Sequence, residues 1–255
     1  MQKKKVVICL ILTLLCFGLL STVAFAAPGI SISDNGITIN STEDPEEISA
    51  SIKLLLILTV LSLLPSILIM MTSFTRIIIV LSFLRSSMGT QQTPPNQVVV
   101  GLALFLTFFI MSPVMTDINQ NALVPFTENQ ISLEEAIDNS EDIIINNMLK
   151  YTRDKDLALF ASIAKVEPPE KLTDLPLTVV TPAFMISELN TAFRMGFMLY
   201  VPFLVIDMVV ASTLMSMGMM MLPPVMISMP FKILLFLLVD GWNILTETII
   251  KSFVH

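Results

Sequence analysis

The sequence is poor in the residues that carry most protein chemistry. Of 255 residues only two are cysteine and one is histidine. The histidine, His255, ends the chain, and both cysteines, Cys9 and Cys16, lie near its start. So few thiol and imidazole groups cannot build the usual zinc or haem site, and no His-based catalytic triad can be drawn. No G-x-x-x-x-G-K-[ST] run is present, which removes the commonest phosphate-binding loop. Charge is scarce as well: 14% of residues are charged, against about 25% in a soluble domain. The only run of basic residues is Lys3, Lys4 and Lys5, and the net charge is −7, so nothing here would neutralise a nucleic-acid backbone. The carboxylate pairs Glu134/Glu135 and Glu141/Asp142 sit in polar helical sequence and read as solvated faces. No catalytic residue, metal ligand or cofactor is expected.

What the chain has in abundance is apolar surface. Hydrophobic residues make up 54% and the mean hydropathy is +0.81. The first segment combines a basic n-region (Lys3–Lys5), an apolar h-region (Val6 to Leu20) and the small-residue site Ala24-Phe25-Ala26, the layout of a cleavable secretory signal over residues 1–26. An uncleaved first transmembrane helix shares the apolar run but not the small-residue site. Leu15 before Cys16 argues against a lipoprotein cleavage site. A mature chain starting at Ala27 would have no cysteine, hence neither disulfide nor thiol chemistry. Residues 27–50 are polar and acidic (Asp34, Glu43, Asp44, Glu46, Glu47) and read as a poorly ordered mature N-terminus.

Four apolar stretches follow: Leu54–Met71, Val98–Met115, Gly196–Leu222 and Val225–Ile250. Each meets or approaches the roughly 18–20 residues that cross a hydrocarbon core. Pro65, Pro113, Pro202 and Pro230 interrupt them, so kinks are expected. A shorter run, Ile77–Leu84, is bracketed by Arg76 and Arg85 and is expected in a re-entrant or interfacial position. Residues 73–97 carry two arginines and no acid, whereas 117–194 carry thirteen acids and six bases. The positive-inside rule then places 73–97 in the cytoplasm, with Arg76 and Arg85 as its basic residues, and 117–194 outside. The expected layout is a first apolar helical hairpin over 51–116, a helical extracytoplasmic region over 117–194 and a second apolar hairpin over 195–255. In the middle region Ser132-Leu133-Glu134-Glu135 forms a capping-box pattern, and Thr181-Pro182 reads as the start of a later helix. No period-2 alternation there argues for a sheet. The fold class is all-α, a multi-helix membrane protein with kinked hairpins.

Few ionisable groups interrupt the apolar segments. Asp207 and Asp240 are costly at bilayer depth unless paired or facing a polar cavity; structural pairing, with Lys232 or Asn243 as partner, is favoured over a proton relay. Glu188, on an otherwise apolar helix, is open to two readings: an intersubunit ion pair or an ordinary exposed glutamate. Glu188, Asp207, Lys232 and Asp240 are therefore candidates for buried polar or intersubunit contacts. Residues 212–230 hold seven methionines in nineteen positions, broken by Pro223-Pro224. This is either a soft core or a compliant constriction.

Several longer motifs carry a resemblance. Met71-Thr72-Ser73-Phe74-Thr75-Arg76-Ile77-Ile78-Ile79-Val80, Pro94-Pro95-Asn96-Gln97 and Gly101 to Pro113 resemble the signature of the FliP family of flagellar type III export-gate proteins, related to the SctR proteins of injectisomes. Ser187-Glu188-Leu189, Pro202 to Asp207, Gly218 to Met221 and Val239-Asp240-Gly241-Trp242 extend it over about residues 50 to 250. The resemblance implies a channel-forming structural subunit, not an enzyme, that passes unfolded flagellar proteins across the cytoplasmic membrane at the flagellar basal body. It implies a homopentamer completed by FliR and wrapped by FliQ, with FlhB and FlhA nearby. It further implies that segments reading as spanning helices pack into a helical cone, much of it above the bilayer plane. Met219, Met220 and Met221 match the family's methionine loop at the channel constriction, whereas packing is the expected role of Met215, Met217, Met226 and Met229. A thioether Cu(I) transporter is the competing class, but the methionines would sit opposite the exported face and lack cysteine or histidine partners.

Overall fold

A computed structural model describes residues 30–33, 36–39, 45–90, 93–166, 171–219 and 222–253. The signal segment 1–26, the 167–170 turn, Met220 and Met221 lie outside the described residues. Two units divide at Leu63/Leu64. In the first, β1 (Ile30–Ser33) pairs antiparallel with β2 (Gly36–Ile39), with Ile30 opposite Ile39 and Ile32 opposite Ile37. Ile-Ser-Ile-Ser and Gly-Ile-Thr-Ile alternate with the strand period. Helix α1 (Pro45–Met71) begins in this unit and carries Pro65 in its interior.

The second unit is built on α2 (Phe74–Ser87). Its Ile77, Val80, Leu81 and Leu84 are buried and centre the larger core cluster. The Ile77–Leu84 run is therefore a core segment covered by other helices of the chain. A run too short to span lipid still makes a core helix when other helices cover it, and hydropathy does not separate the two cases. Helix α3 (Asn96–Ile118) packs against α2 and contributes Ala103 and Leu106 to the same cluster. It passes through a π-helical turn (Asn119–Leu123) into the one-turn α4 (Val124–Thr127).

Helix α5 (Leu133–Leu149) starts as the sequence requires. Ser132 Oγ accepts from the Glu135 N–H, and Glu135 returns the bond to the Ser132 N–H, so two orphan donors are satisfied. With α6 (Asp154–Ala164), it packs Ile145, Met148 and Leu157 against Leu175, Val179, Val180, Ala183 and Phe184 in a second cluster.

Helix α7 (Leu177–Ser216) has 40 residues, about 60 Å at 1.5 Å per residue and twice the roughly 30 Å of a hydrocarbon core. It begins at Leu177, so Thr181 is not its cap; the Thr181 hydroxyl is instead buried without a hydrogen-bond partner. It also runs without a break across the expected boundary at 194/195. Close approach to α2 depends on Gly196, where a Cβ would lie 2.5 Å from the Phe83 ring. Phe83 also meets Phe193 edge-on at 5.5 Å.

The last apolar stretch is two helices, α8 (Pro224–Leu238) and α9 (Gly241–Lys251), bent by 67°. Pro230 stays inside α8, so the break is not the expected proline kink. It falls at Asp240, which adopts left-handed φ 52, a conformation Asp tolerates better than most residues. Gly241 follows it because a Cβ there would meet the Phe236 ring at 2.2 Å. Helices α3 and α7 are long and apolar enough to cross a membrane, and α8 with α9 is a candidate third span. The protein is an all-α membrane protein, with the short hairpin as its only described sheet.

Candidate functional site: two buried charge clusters

Both clusters grow from the ends of α2. At its start, Arg76 is 3% exposed and Glu188, on α7, is fully buried. Arg76 Nε donates to Glu188 Oε2 at 2.9 Å and Nη2 donates to Oε1, a forked pairing that suits a planar guanidinium. Nη1 turns the other way and donates to the Ser252 carbonyl at 2.8 Å and to Ser252 Oγ at 3.0 Å. The Phe253 ring lies 3.8 Å from Arg76 Cζ, and the Tyr151 ring 5.6 Å away completes the cover. Tyr151 donates its hydroxyl proton to the Phe253 carbonyl at 2.7 Å. Burial raises the Tyr151 pKa; Arg76 opposes the rise and Glu188 adds to it.

One residue along α7, Ser187 extends the network. Its hydroxyl donates to Asp156 Oδ2 at 2.6 Å and accepts from the Arg153 backbone N–H at 3.0 Å. Arg153 Nε donates to the same carboxylate oxygen at 2.6 Å. Burial alone would push Asp156 upward. Hydrogen bonds from Ser187 and Arg153, with the positive charges of Arg153 and Lys155, outweigh it and hold the carboxyl below the ordinary aspartate range. Its place in the first turn of α6 favours the anion further.

At the other end of α2, Lys232 from α8 is 1% exposed. Its Nζ donates to Asp207 Oδ2 at 2.6 Å and to the Ser87 carbonyl at 3.0 Å. The second carboxylate oxygen accepts from Ser228 Oγ at 2.5 Å. The cation thus neutralises a carboxylate of α7 while satisfying a carbonyl in the last turn of α2, where the helix dipole favours positive charge.

These positions revise several expectations. Arg76 lies on α2 in a buried ion pair and is not an exposed loop charge. Glu188 is neither solvent-exposed nor free for a neighbouring subunit. Asp207 is paired with Lys232, whereas Asp240 is exposed at the helix break and joins neither cluster. Arg85 stays half-buried in the last turn of α2, its Nη1 3.5 Å from Asn96 Oδ1. Ser87, Tyr151, Asp156, Ser252 and Phe253 carry these clusters without having been singled out; Ser187 stands beside Glu188 in the Ser187-Glu188-Leu189 motif, and Ser228 four residues before Lys232.

The methionine turn opens on a built helix stop. The Gly218 N–H donates to the Met215 carbonyl, and the Met219 N–H donates to Leu214 at 3.0 Å. With Gly218 at φ 75, this is a Schellman motif. Met219 is half-buried. Met215, Met217 and Met226 are exposed by 62%, 71% and 64%, so the packing role expected for them is not met inside this chain.

The sequence model of the FliP family matches residues 57–249. The chain belongs to the FliP family. It is 62% identical over 217 residues to the flagellar biosynthetic protein FliP of Bacillus subtilis (strain 168), covering 85% of this chain and 98% of that one. The protein of the same name from Aquifex aeolicus (strain VF5) is 53% identical over 205 residues, 80% of this chain and 86% of its own. That of Pectobacterium carotovorum subsp. carotovorum is 48% identical over 238 residues, 93% and 92% of the two chains. Family membership covers Arg76, Glu188, Asp207 and Lys232, all within the matched span.

Proposed function

We propose that this FliP-family chain is a channel-forming structural subunit of the flagellar type III export gate, passing unfolded flagellar proteins across the cytoplasmic membrane at the basal body. Its role is structural, not enzymatic. The observation that carries the reading is the distribution of apolar surface. Charges within the core are paired, while large apolar side chains point outward along whole helices: Phe105, Phe108 and Phe109 on α3, and Phe193, Phe197 and Met198 on α7, are 55–77% exposed. Surface of this kind is completed by lipid or by other subunits. A homopentamer, joined by FliR and FliQ with FlhB and FlhA nearby, supplies the second environment. The 60 Å helix α7, too long for one crossing, suits an assembly that rises beyond the bilayer plane.

The sidedness follows from the remaining charges. Helices α7 and α8 bring the methionine turn to the end of the molecule where Arg85 sits, the cytoplasmic end by the positive-inside rule. The acidic region 117–194 then lies outside, and residues 1–26 are removed as a signal. Met219, Met220 and Met221 line the constriction. Unbranched thioether side chains repack at little cost and keep water out of a narrow neck, yet give way to a passing chain.

Replacing all three methionines by alanine tests this directly. The expected result is a normal yield of assembled complex with raised membrane conductance and salt-sensitive growth, because a wider apolar neck wets more readily. Alanine favours helix at least as well as methionine. Loss of the complex without any leak would show that the three residues are packing, since each such core truncation costs about 2–5 kcal/mol. Stoichiometric copper in the purified protein would point to a metal carrier instead.

A further inference from the structure

We propose that the chain's last described residues, Ser252 and Phe253, form a strap that closes over the Arg76–Glu188 pair, so that this region reaches its native packing only after these two residues have been made. The inference stands apart from the export reading and holds whether or not the assembled protein conducts.

Three observations carry it. Glu188 satisfies only Nε and Nη2 of the guanidinium; Nη1 donates twice to Ser252, once to its hydroxyl and once to its backbone carbonyl. The strap also supplies the nearer ring over the cation, with Phe253 at 3.8 Å against Tyr151 at 5.6 Å. Finally, the strap is fastened on its far side. Tyr151 OH donates to the Phe253 carbonyl, the two rings meet edge-on at 5.2 Å, and Phe253 is 7% exposed within the core cluster of Ile77, Leu245 and Ile249.

The order of events follows from chain position. Ser252 lies 176 residues after Arg76, so α2, α7 and the ion pair are all synthesised before the segment that covers them. Until it arrives, one side of a buried guanidinium faces water or whatever else can hydrogen-bond to it, because an unpaired charge is not left in an apolar core. Anchoring α9 through Ile249 brings the strap to its seat without further search.

The test is arginine labelling with phenylglyoxal on the full-length protein in detergent, read peptide by peptide by mass spectrometry. Three chains are compared: wild type, a variant ending at Lys251, and Phe253→Leu. Arg194, exposed on α7, serves as the internal reference. Wild-type Arg76 should be protected. Its labelling rate relative to Arg194 should rise about tenfold or more in the truncated chain and by a smaller factor in Phe253→Leu, as expected for opening of one local segment. Arg76 as protected in the truncated chain as in wild type would overturn the proposal. If the truncated chain cannot be recovered, Phe253→Leu decides: labelling unchanged from wild type would overturn it equally.

Discussion

The Lys232–Asp207 pair allows a test in which the two halves of one interaction should cost different amounts. Lys232 is almost fully enclosed, whereas the Asp207 side chain keeps 25% of its surface. Asp207→Val strands the ammonium, leaving it the Ser87 carbonyl at 3.0 Å. Removing one member of a buried pair costs about 3–5 kcal/mol. Lys232→Met leaves an aspartate that can turn toward solvent and still accept from Ser228. The loss is then the unsatisfied Ser87 carbonyl and a weakened bond, about 1–3 kcal/mol. Replacing both together leaves no uncompensated charge and should recover most of the damage, giving a coupling of about 2 kcal/mol or more. The assay is reversible unfolding of the purified protein in mixed micelles, followed by circular dichroism, for the four chains of the cycle. A loss of 3 kcal/mol lowers the folded-to-unfolded ratio more than about a hundredfold, so the ranking is measurable. If Lys232→Met costs as much as Asp207→Val, or if the two losses simply add, the reasoning from unequal burial is wrong.

Three further outcomes follow from the same geometry. Gly196→Ala and Gly241→Ala should each destabilise by about 1–3 kcal/mol through overpacking against Phe83 and Phe236, while Gly101→Ala, which meets nothing within 4 Å, should not; thermal shifts of the three variants check this. Because the Asp156 pKa is depressed in the folded protein, its stabilisation should be complete above the unfolded carboxyl value of about 3.9 and fade as pH falls toward the lower folded value. Hydrogen exchange of α6 should show that acid sensitivity, and Asp156→Asn should abolish it by losing the stabilisation at every pH. In spheroplasts, a cysteine at Asp138 should react with an impermeant maleimide and one at Ser86 should not; both sites are exposed, so burial cannot mimic sidedness, and the reverse pattern would invert the topology.

Much of the helical layout was legible because local signals agree. Ser132 and Glu135 cap α5 as their spacing requires, and the apolar stretches became helices. The errors share a cause. Ile77–Leu84 was judged by length against a bilayer, but its environment is other helices, and an apolar residue reads the same against either. Arg76 was counted as a loop charge because its partner lies 112 residues away, beyond any local pattern. The break at Asp240 escaped notice because Pro230 offered a more familiar kink signal, while a left-handed aspartate leaves none. The Asp207–Lys232 pairing was reachable because two opposite charges in one apolar hairpin have few other partners. Ser252 and Phe253 were invisible for the opposite reason: a serine and a phenylalanine at a chain end fit almost any role.

Helix α7 carries the acidic member of both clusters, and that has a mechanical consequence. From Glu188 to Asp207 is 207 − 188 = 19 residues along one unbroken helix, about 28 Å at 1.5 Å per residue. That length is close to the roughly 30 Å depth of a hydrocarbon layer. The helix therefore acts as a gauge rod: it sets the separation of two polar tie points, one holding Ser252 through Arg76 and the other joining α8 to α2. Neither tie point can slip along the helix without stranding a buried cation: Glu188 would leave Arg76 unpaired, and Asp207 would leave Lys232.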